Sequence, residues 1–144
     1  MTRFALACCA LSAPLLLAGC DSNDDVASGP FFGCQTGTMS IGQVRTGTVT
    51  ADDCPDPERS DFPTDYYRLH LRDGQTLEVR LDGSQGLDPY LTLYAADGTR
   101  VARDDDGGSG TNALLSVSLD AGDYVVAASG YAGDTGAYSL VARP

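Results

Sequence analysis

Tyr67-Arg68-Leu69-His70-Leu71-Arg72 runs into Asp73-Gly74, and the chain continues as Gln75-Thr76-Leu77-Glu78-Val79-Arg80-Leu81. On both sides of the Asp-Gly pair apolar and polar residues alternate strictly, the period of a half-buried strand. Leu69 and Leu71 share a face with Tyr67, opposite Arg68, His70 and Arg72. Leu77, Val79 and Leu81 share a face opposite Glu78 and Arg80. Asp-Gly suits a tight turn with positive φ, so the two strands are expected to pair as a hairpin.

The same grammar extends in both directions. Gln43 to Thr50 is polar and β-branched and reads as a modest strand, whereas Cys54 to Thr64 holds three prolines and reads as a loop. Leu91, Leu93 and Ala95 share a face opposite Tyr90, Thr92 and Tyr94, and Asp97-Gly98 turns the chain into Thr99 to Arg103. Asp104 to Gly110 is acidic and glycine-rich, a solvated loop. Ala113, Leu115, Val117 and Leu119 form another inward row, followed by strands over Tyr124 to Ser129 and Ala137 to Ala142. No segment sustains a helical period. The fold class is therefore all-β, a sandwich of about eight short antiparallel strands packed on one apolar interior.

The N-terminus reads as an address. Arg3 supplies a positive start, and Phe4 to Leu17 is almost wholly apolar. That stretch falls short of the ~20 residues a membrane span requires, but suits the core of an export signal. Leu17-Ala18-Gly19-Cys20 resembles the lipobox of bacterial lipoproteins. The resemblance implies a signal peptide over 1–19 and diacylglycerol and palmitate on Cys20, which anchors the chain to a membrane in the cell envelope. Residues 20–33 are small and acidic, a tether, and 34–144 form the domain. Asp21 resembles the inner-membrane retention signal of Gram-negative lipoproteins.

With Cys8 and Cys9 in the leader and Cys20 lipidated, the five cysteines reduce to Cys34 and Cys54. In an oxidising compartment these are expected to form a structural disulfide. A metal pair would need further soft ligands, and His70 is the chain's only histidine; redox chemistry would favour a closer Cys-x-x-Cys.

The formal charge is −11, with 20 acidic residues against nine bases, all arginine. Loss of Arg3 with the leader makes the mature chain one unit more acidic. Such a surface excludes binding to nucleic acid through phosphates and is repelled by anionic lipid; cations and basic partners complement it.

Several segments occur in the order seen in bacterial pre-peptidase C-terminal domains. They are Asp65-Tyr66-Tyr67-Arg68-Leu69, Gly74 to Val79, Leu87-Asp88-Pro89-Tyr90-Leu91-Thr92-Leu93-Tyr94, Asp97-Gly98, Asp104-Asp105-Asp106, Ala121-Gly122-Asp123-Tyr124 and Gly136 to Leu140. The similarity runs from about Ile41 to the C-terminus. It implies a jelly-roll-like β-sandwich that is not catalytic and commonly follows the catalytic domain of a secreted peptidase; some relatives bind calcium or extracellular polymers. Here only a leader and a tether precede the domain, so a role as a peptidase tail does not transfer directly.

Two constellations stand out as candidate sites. Asp104, Asp105 and Asp106, with Asn112 after them and Asp88 near the same end, offer oxygen ligands to calcium; the competing reading is a solvated loop whose aspartates cap turns. The spacing is not that of an EF-hand. Tyr66, Tyr90 and Tyr94 form either an exposed aromatic strip for a ligand or a second packed layer. His70 lacks a marked orienting carboxylate and nucleophile, and no Gly-x-Ser-x-Gly, phosphate loop, dinucleotide fingerprint or zinc spacing is present. The sequence therefore reads as a non-enzyme. The expected partners are an envelope protein, a peptide or a polysaccharide, or a separate secreted peptidase that the domain inhibits or assists.

Overall fold

The computed structural model describes Phe31 and residues 33–144. The expected leader, Cys20, Asp21 and most of the tether lie outside the described residues.

Ten strands follow one another: β1 (Gln35–Met39), β2 (Val44–Val49), β3 (Cys54–Pro55), β4 (Pro63–Leu71), β5 (Gln75–Ser84), β6 (Pro89–Ala95), β7 (Arg100–Asp104), β8 (Ala113–Leu119), β9 (Gly122–Gly130) and β10 (Gly136–Arg143). One sheet has the order β1-β4-β9-β6-β7, with β3 also paired to β4; the other has the order β2-β10-β5-β8. The pairings are antiparallel except β1 on β4, which is parallel. The sandwich expected from alternation is the fold observed.

The decisive stretch forms two strands as expected, but they do not pair with each other. β4 bonds to β9, β1 and β3 in the first sheet, and β5 bonds to β10 and β8 in the second. Gly74 is not among the positive-φ glycines, so Asp73-Gly74 does not close the tight hairpin turn. It carries the chain across the sandwich instead. The physical reason is that both strands are apolar on one face. Placed in opposite sheets, Leu69 and Leu71 join Leu77, Val79 and Leu81 in one buried cluster. Asp97-Gly98 is a true hairpin turn: Gly98 has φ +87°, the Ala95 N–H donates to the Thr99 carbonyl, and the Thr99 N–H donates to Asp97 Oδ1 at 2.8 Å. The connections β1–β2, β2–β3, β4–β5, β5–β6, β7–β8, β8–β9 and β9–β10 all pass between sheets.

The main core lies between the sheets. Leu69, Leu71, Leu77, Val79, Leu81, Leu91, Leu93, Val126 and Leu140 are all sealed from solvent; each such side chain contributes about 1.5–3 kcal/mol by burial. The first sheet is also buried on its outer side. Phe31, Tyr66, Tyr94, Val125 and Ala127 form a second cluster there, with Cys34 and Cys54 against it. This explains why β6 and β9 read as almost unbroken apolar runs.

Candidate functional site

Strand directions bring the loops after β2, β3, β5, β7 and β9 to one end of the sandwich. Asp88, Asp104, Asp105, Asp106 and Asn112 are all at this end, as the sequence suggested. Two of these side chains, Asp104 and Asn112, are engaged by the fold itself. Asp104 Oδ2 accepts the backbone N–H of Gly107 at 2.7 Å and of Leu114 at 2.8 Å, closing the acidic loop onto the start of β8. Asn112 Oδ1 accepts the Gly83 N–H at 3.0 Å, and its carbonyl accepts the Gly108 N–H. The Asp88 carbonyl accepts the Tyr131 N–H, while Asp88 Oδ1 is buried without a hydrogen-bond partner. Among the described residues no three acidic, histidine or cysteine side chains converge as a metal would require. The arrangement is that of a capped turn, the competing reading of this loop.

The outer face of the first sheet holds the three tyrosines. Tyr66 and Tyr94 are buried rather than displayed, and Tyr90 is nearly so. Phe31 lies over the first two, its ring centre 5.1 Å from each. The cover continues through the proline-rich segment after Cys54. Tyr66 donates its hydroxyl to the Pro55 carbonyl at 2.7 Å, and Tyr94 donates to Asp56 Oδ2 at 3.1 Å. Burial raises the pKa of both phenols, and the Asp56 carboxylate raises them further. Asp56 is itself buried and accepts the N–H groups of Glu58 and Arg59 and the Arg59 guanidinium. That guanidinium stacks 3.7 Å from the Tyr90 ring centre and 4.4 Å from that of Phe62, a cation–π contact on two sides. Glu58 reaches on to pair with Arg100 of β7. An exposed aromatic strip is therefore not what the structure has. Three large rings on a sheet face would leave several hundred square ångströms of apolar surface in water, and Phe31 with the 55–62 loop removes it. The expected disulfide pins this cover: Cys34 and Cys54 are bonded, with Cα atoms 5.7 Å apart.

Between the sheets sits a polar group that sequence reading missed. Asp65 is buried; its Oδ2 accepts the Tyr138 hydroxyl at 2.6 Å and its Oδ1 accepts the Thr36 hydroxyl at 2.8 Å. The Tyr67 hydroxyl lies 2.7 Å from that of Tyr138. Burial drives the Asp65 pKa up against these two hydroxyl hydrogen bonds, and Asp53 nearby pushes the same way. The signal was present: Asp65 falls on the same alternating face as Tyr67, Leu69 and Leu71.

His70 also has a carboxylate that spacing did not mark. Its register partner on β9 is Asp123, and Nδ1 lies 2.8 Å from Asp123 Oδ1. Both groups are solvent-exposed. Ser40 lines the same shallow groove, with Ile41 and Arg72, but no hydroxyl hydrogen-bonds the imidazole among the described residues. A general base needs such a contact to raise a nucleophile.

No curated protein matches the chain. Among solved structures, the pre-peptidase C-terminal domain of a collagenase from Bacillus anthracis superposes with a TM-score of 0.59 at 14% identity, covering 75% of this chain and 95% of that one. PliG of Aeromonas hydrophila, a periplasmic inhibitor of g-type lysozyme, gives 0.47 at 16% identity, covering 75% and 96%. CorA of Methylomicrobium album BG8, a surface-associated copper-binding protein, gives 0.48 at 10%, covering 76% and 98%. The last two superpositions are too loose to carry an argument. The sandwich has the fold of a pre-peptidase C-terminal domain, and residues 63–130, from the first residue of β4 to the last of β9, match the family model described as the bacterial pre-peptidase C-terminal domain.

Proposed function

We propose that this chain is a cell-envelope lipoprotein whose sandwich is a non-catalytic binding or accessory module for an envelope or extracellular protein, peptide or polysaccharide. The observation that carries the reading is the match of residues 63–130 to a domain described by its place relative to a peptidase rather than by a reaction of its own. The chemistry of the carboxylates supports it. Asp56, Asp65 and Asp104 are held by N–H groups, hydroxyls or a guanidinium of their own fold, and such groups are caps and struts rather than acids or bases poised for a substrate. The Cys34–Cys54 disulfide supports an oxidising compartment.

In this reading residues 1–19 are removed on export, lipid on Cys20 holds the protein to a membrane, 20–33 is the tether and 34–144 is the working domain. No helix among the described residues is long and apolar enough to cross a membrane. Asp21 sorts the mature protein toward the inner membrane.

A second reading, regulation of a separate secreted peptidase by inhibition or assistance, is favoured by the peptidase in the family's description. Affinity capture of the mature protein from detergent-solubilised membranes separates the two. Enrichment of a defined envelope protein or glycan supports the binding module, and a peptidase whose activity changes on addition of the purified domain supports the regulator. Specific capture of neither would sink both.

A further inference from the structure

The outer strands of the sandwich meet solvent very differently. On one flank the Arg45 guanidinium of β2 donates to the Thr38 carbonyl of β1, tying those two edges together, and β1 is only five residues long with a register shift after Gln35. On the other flank β7 carries Arg100, Arg103 and Asp104 within five residues, and its register shifts opposite Leu93 and Tyr94. Charges, short length and bulges are the devices by which sheet edges are kept from recruiting further strands.

β8 has none of them. Ala113-Leu114-Leu115-Ser116-Val117-Ser118-Leu119 contains no charge, glycine or proline, and it pairs with β5 over its full length without a register shift. It is the end strand of its sheet. The Leu114 N–H is bonded to Asp104, away from β5, and alternation along a strand turns the N–H groups of Ser116 and Ser118 the same way. The carbonyls of Leu114, Ser116 and Ser118 point with them. Within the described residues these two donors and three acceptors have no hydrogen-bond partner. Ser116 and Ser118 are exposed.

The surroundings select what would pair there. Beside this edge Val117 and Ala102 are only partly buried at the rim of the core, so a strand laid along β8 is favoured by apolar residues at alternate positions. Asp104 to Asp106 lie at one end of β8 and Asp120 at the other; Glu78 is the register partner of Ser116, and Arg80, the partner of Leu114, is offset by its ion pair with Asp82. Charge complementarity therefore calls for a basic strand, and a second copy of a chain at −11 is repelled. From this, and resting on the reading of the domain as a binding module, we infer that the open edge of β8 takes up an extended, lysine- or arginine-bearing segment of a partner protein as an added strand.

Hydrogen exchange of the full mature protein tests this with an acetylated, amidated octapeptide of alternating valine and lysine as the probe. The Ser116 and Ser118 amides exchange freely in the protein alone and slow by at least about tenfold at saturating peptide, as new interstrand hydrogen bonds require. The alternating valine–glutamate octapeptide gives no protection. Ser116→Lys/Ser118→Lys, two changes at exposed positions, abolishes the effect, whereas Ser116→Glu/Ser118→Glu keeps it. Protection in the loops instead of at these two amides, or protection unaffected by the lysine variant, would overturn the assignment. So would no protection at millimolar probe. Protection in the protein alone that grows with its concentration would give the edge to a second copy. The same lysine variant in the membrane capture separates this proposal from the broader one: a partner retained undiminished removes the edge and leaves the binding module standing.

Discussion

The hydroxyl of Tyr138 lies 2.6 Å from a carboxylate oxygen of Asp65, and both groups are buried. Tyr138 belongs to β10 and Asp65 to β4, so this one hydrogen bond spans the two sheets. Burial outweighs the two hydroxyl donors and raises the carboxyl above its ordinary value of 3.8. A raised folded-state pKa stabilises below the unfolded value, and that contribution is lost as pH rises through the folded one. Asp65→Asn removes this dependence. The melting temperature of the variant minus that of wild type should therefore climb as pH rises above about 4, and a flat difference would mean that Asp65 ionises in the fold without cost.

Gly47 makes room for this bond. A Cβ there would lie 2.5 Å from Tyr138 Cζ and closer still to its hydroxyl. Tyr138 is fully packed, so Gly47→Ala should cost about 1–3 kcal/mol in urea unfolding, the usual price of overpacking a core. Gly37→Ala, whose Cβ would sit 3.7 Å from the Tyr67 ring, is the control that should change little.

Reduction of the disulfide acts at a distance from that core. The bond closes a separation of 20 residues, and its removal by Cys34→Ser/Cys54→Ser should lower stability by about 3 kcal/mol. Because Phe31 and the 55–62 loop cover Tyr66 and Tyr94, near-ultraviolet circular dichroism of the tyrosines should weaken even where far-ultraviolet β signal is kept. An unchanged tyrosine signal would show that the cover holds without its clasp.

Asp104 separates two roles for the acidic loop. As a cap on Gly107 and Leu114 it should be worth about 1–2 kcal/mol, so that Asp104→Ala melts several degrees lower. Millimolar calcium and chelator should give the same melting temperature in wild type and in the variant. A calcium-dependent rise in wild type that Asp104→Ala loses would establish an ion site instead.

The proposed lipid attachment is tested at Cys20. Cys20→Ser should leave the leader uncut by the lipoprotein peptidase and free of lipid, read as a larger mature mass and lost incorporation of labelled palmitate. Unchanged mass and membrane attachment would remove the anchor.

Strand positions from β4 onward were readable because each carries its apolar residues at period two between Gly, Pro or Asp turns. The partners of those strands were less readable. Asp73-Gly74 and Asp97-Gly98 are the same dipeptide, yet the first crosses between sheets and the second closes a hairpin; the difference lies in which faces must meet across the core, which no dipeptide encodes. β1 escaped notice because Gln-Thr-Gly-Thr-Met buries only its last residue. The acidic end was legible in position and the cysteine pair in connectivity. The outward burial of Tyr66 and Tyr94 was not, because Phe31 and the 55–62 loop that cover them have no pattern of their own. Asp123 beside His70 was out of reach for the same reason as the pairing: it arises from the β4–β9 register.

The crossing connections bear on how the chain acquires its shape. Seven of the nine links pass between sheets; apart from the two-residue β3 on β4, the Ala95–Thr99 turn joins the only strands adjacent in sequence that are also neighbours in a sheet. β4 finds its full-length partner only in β9, and β2 its partner only in β10, so little of the sandwich can assemble until almost all of the chain is available. Such dependence on distant pairings places folding in the range of milliseconds to seconds rather than microseconds. An exported chain of this topology would reach its compartment with its final strand, Gly136–Arg143, needed to unite β2 with β5, and a truncation before that strand should leave the second sheet without its centre.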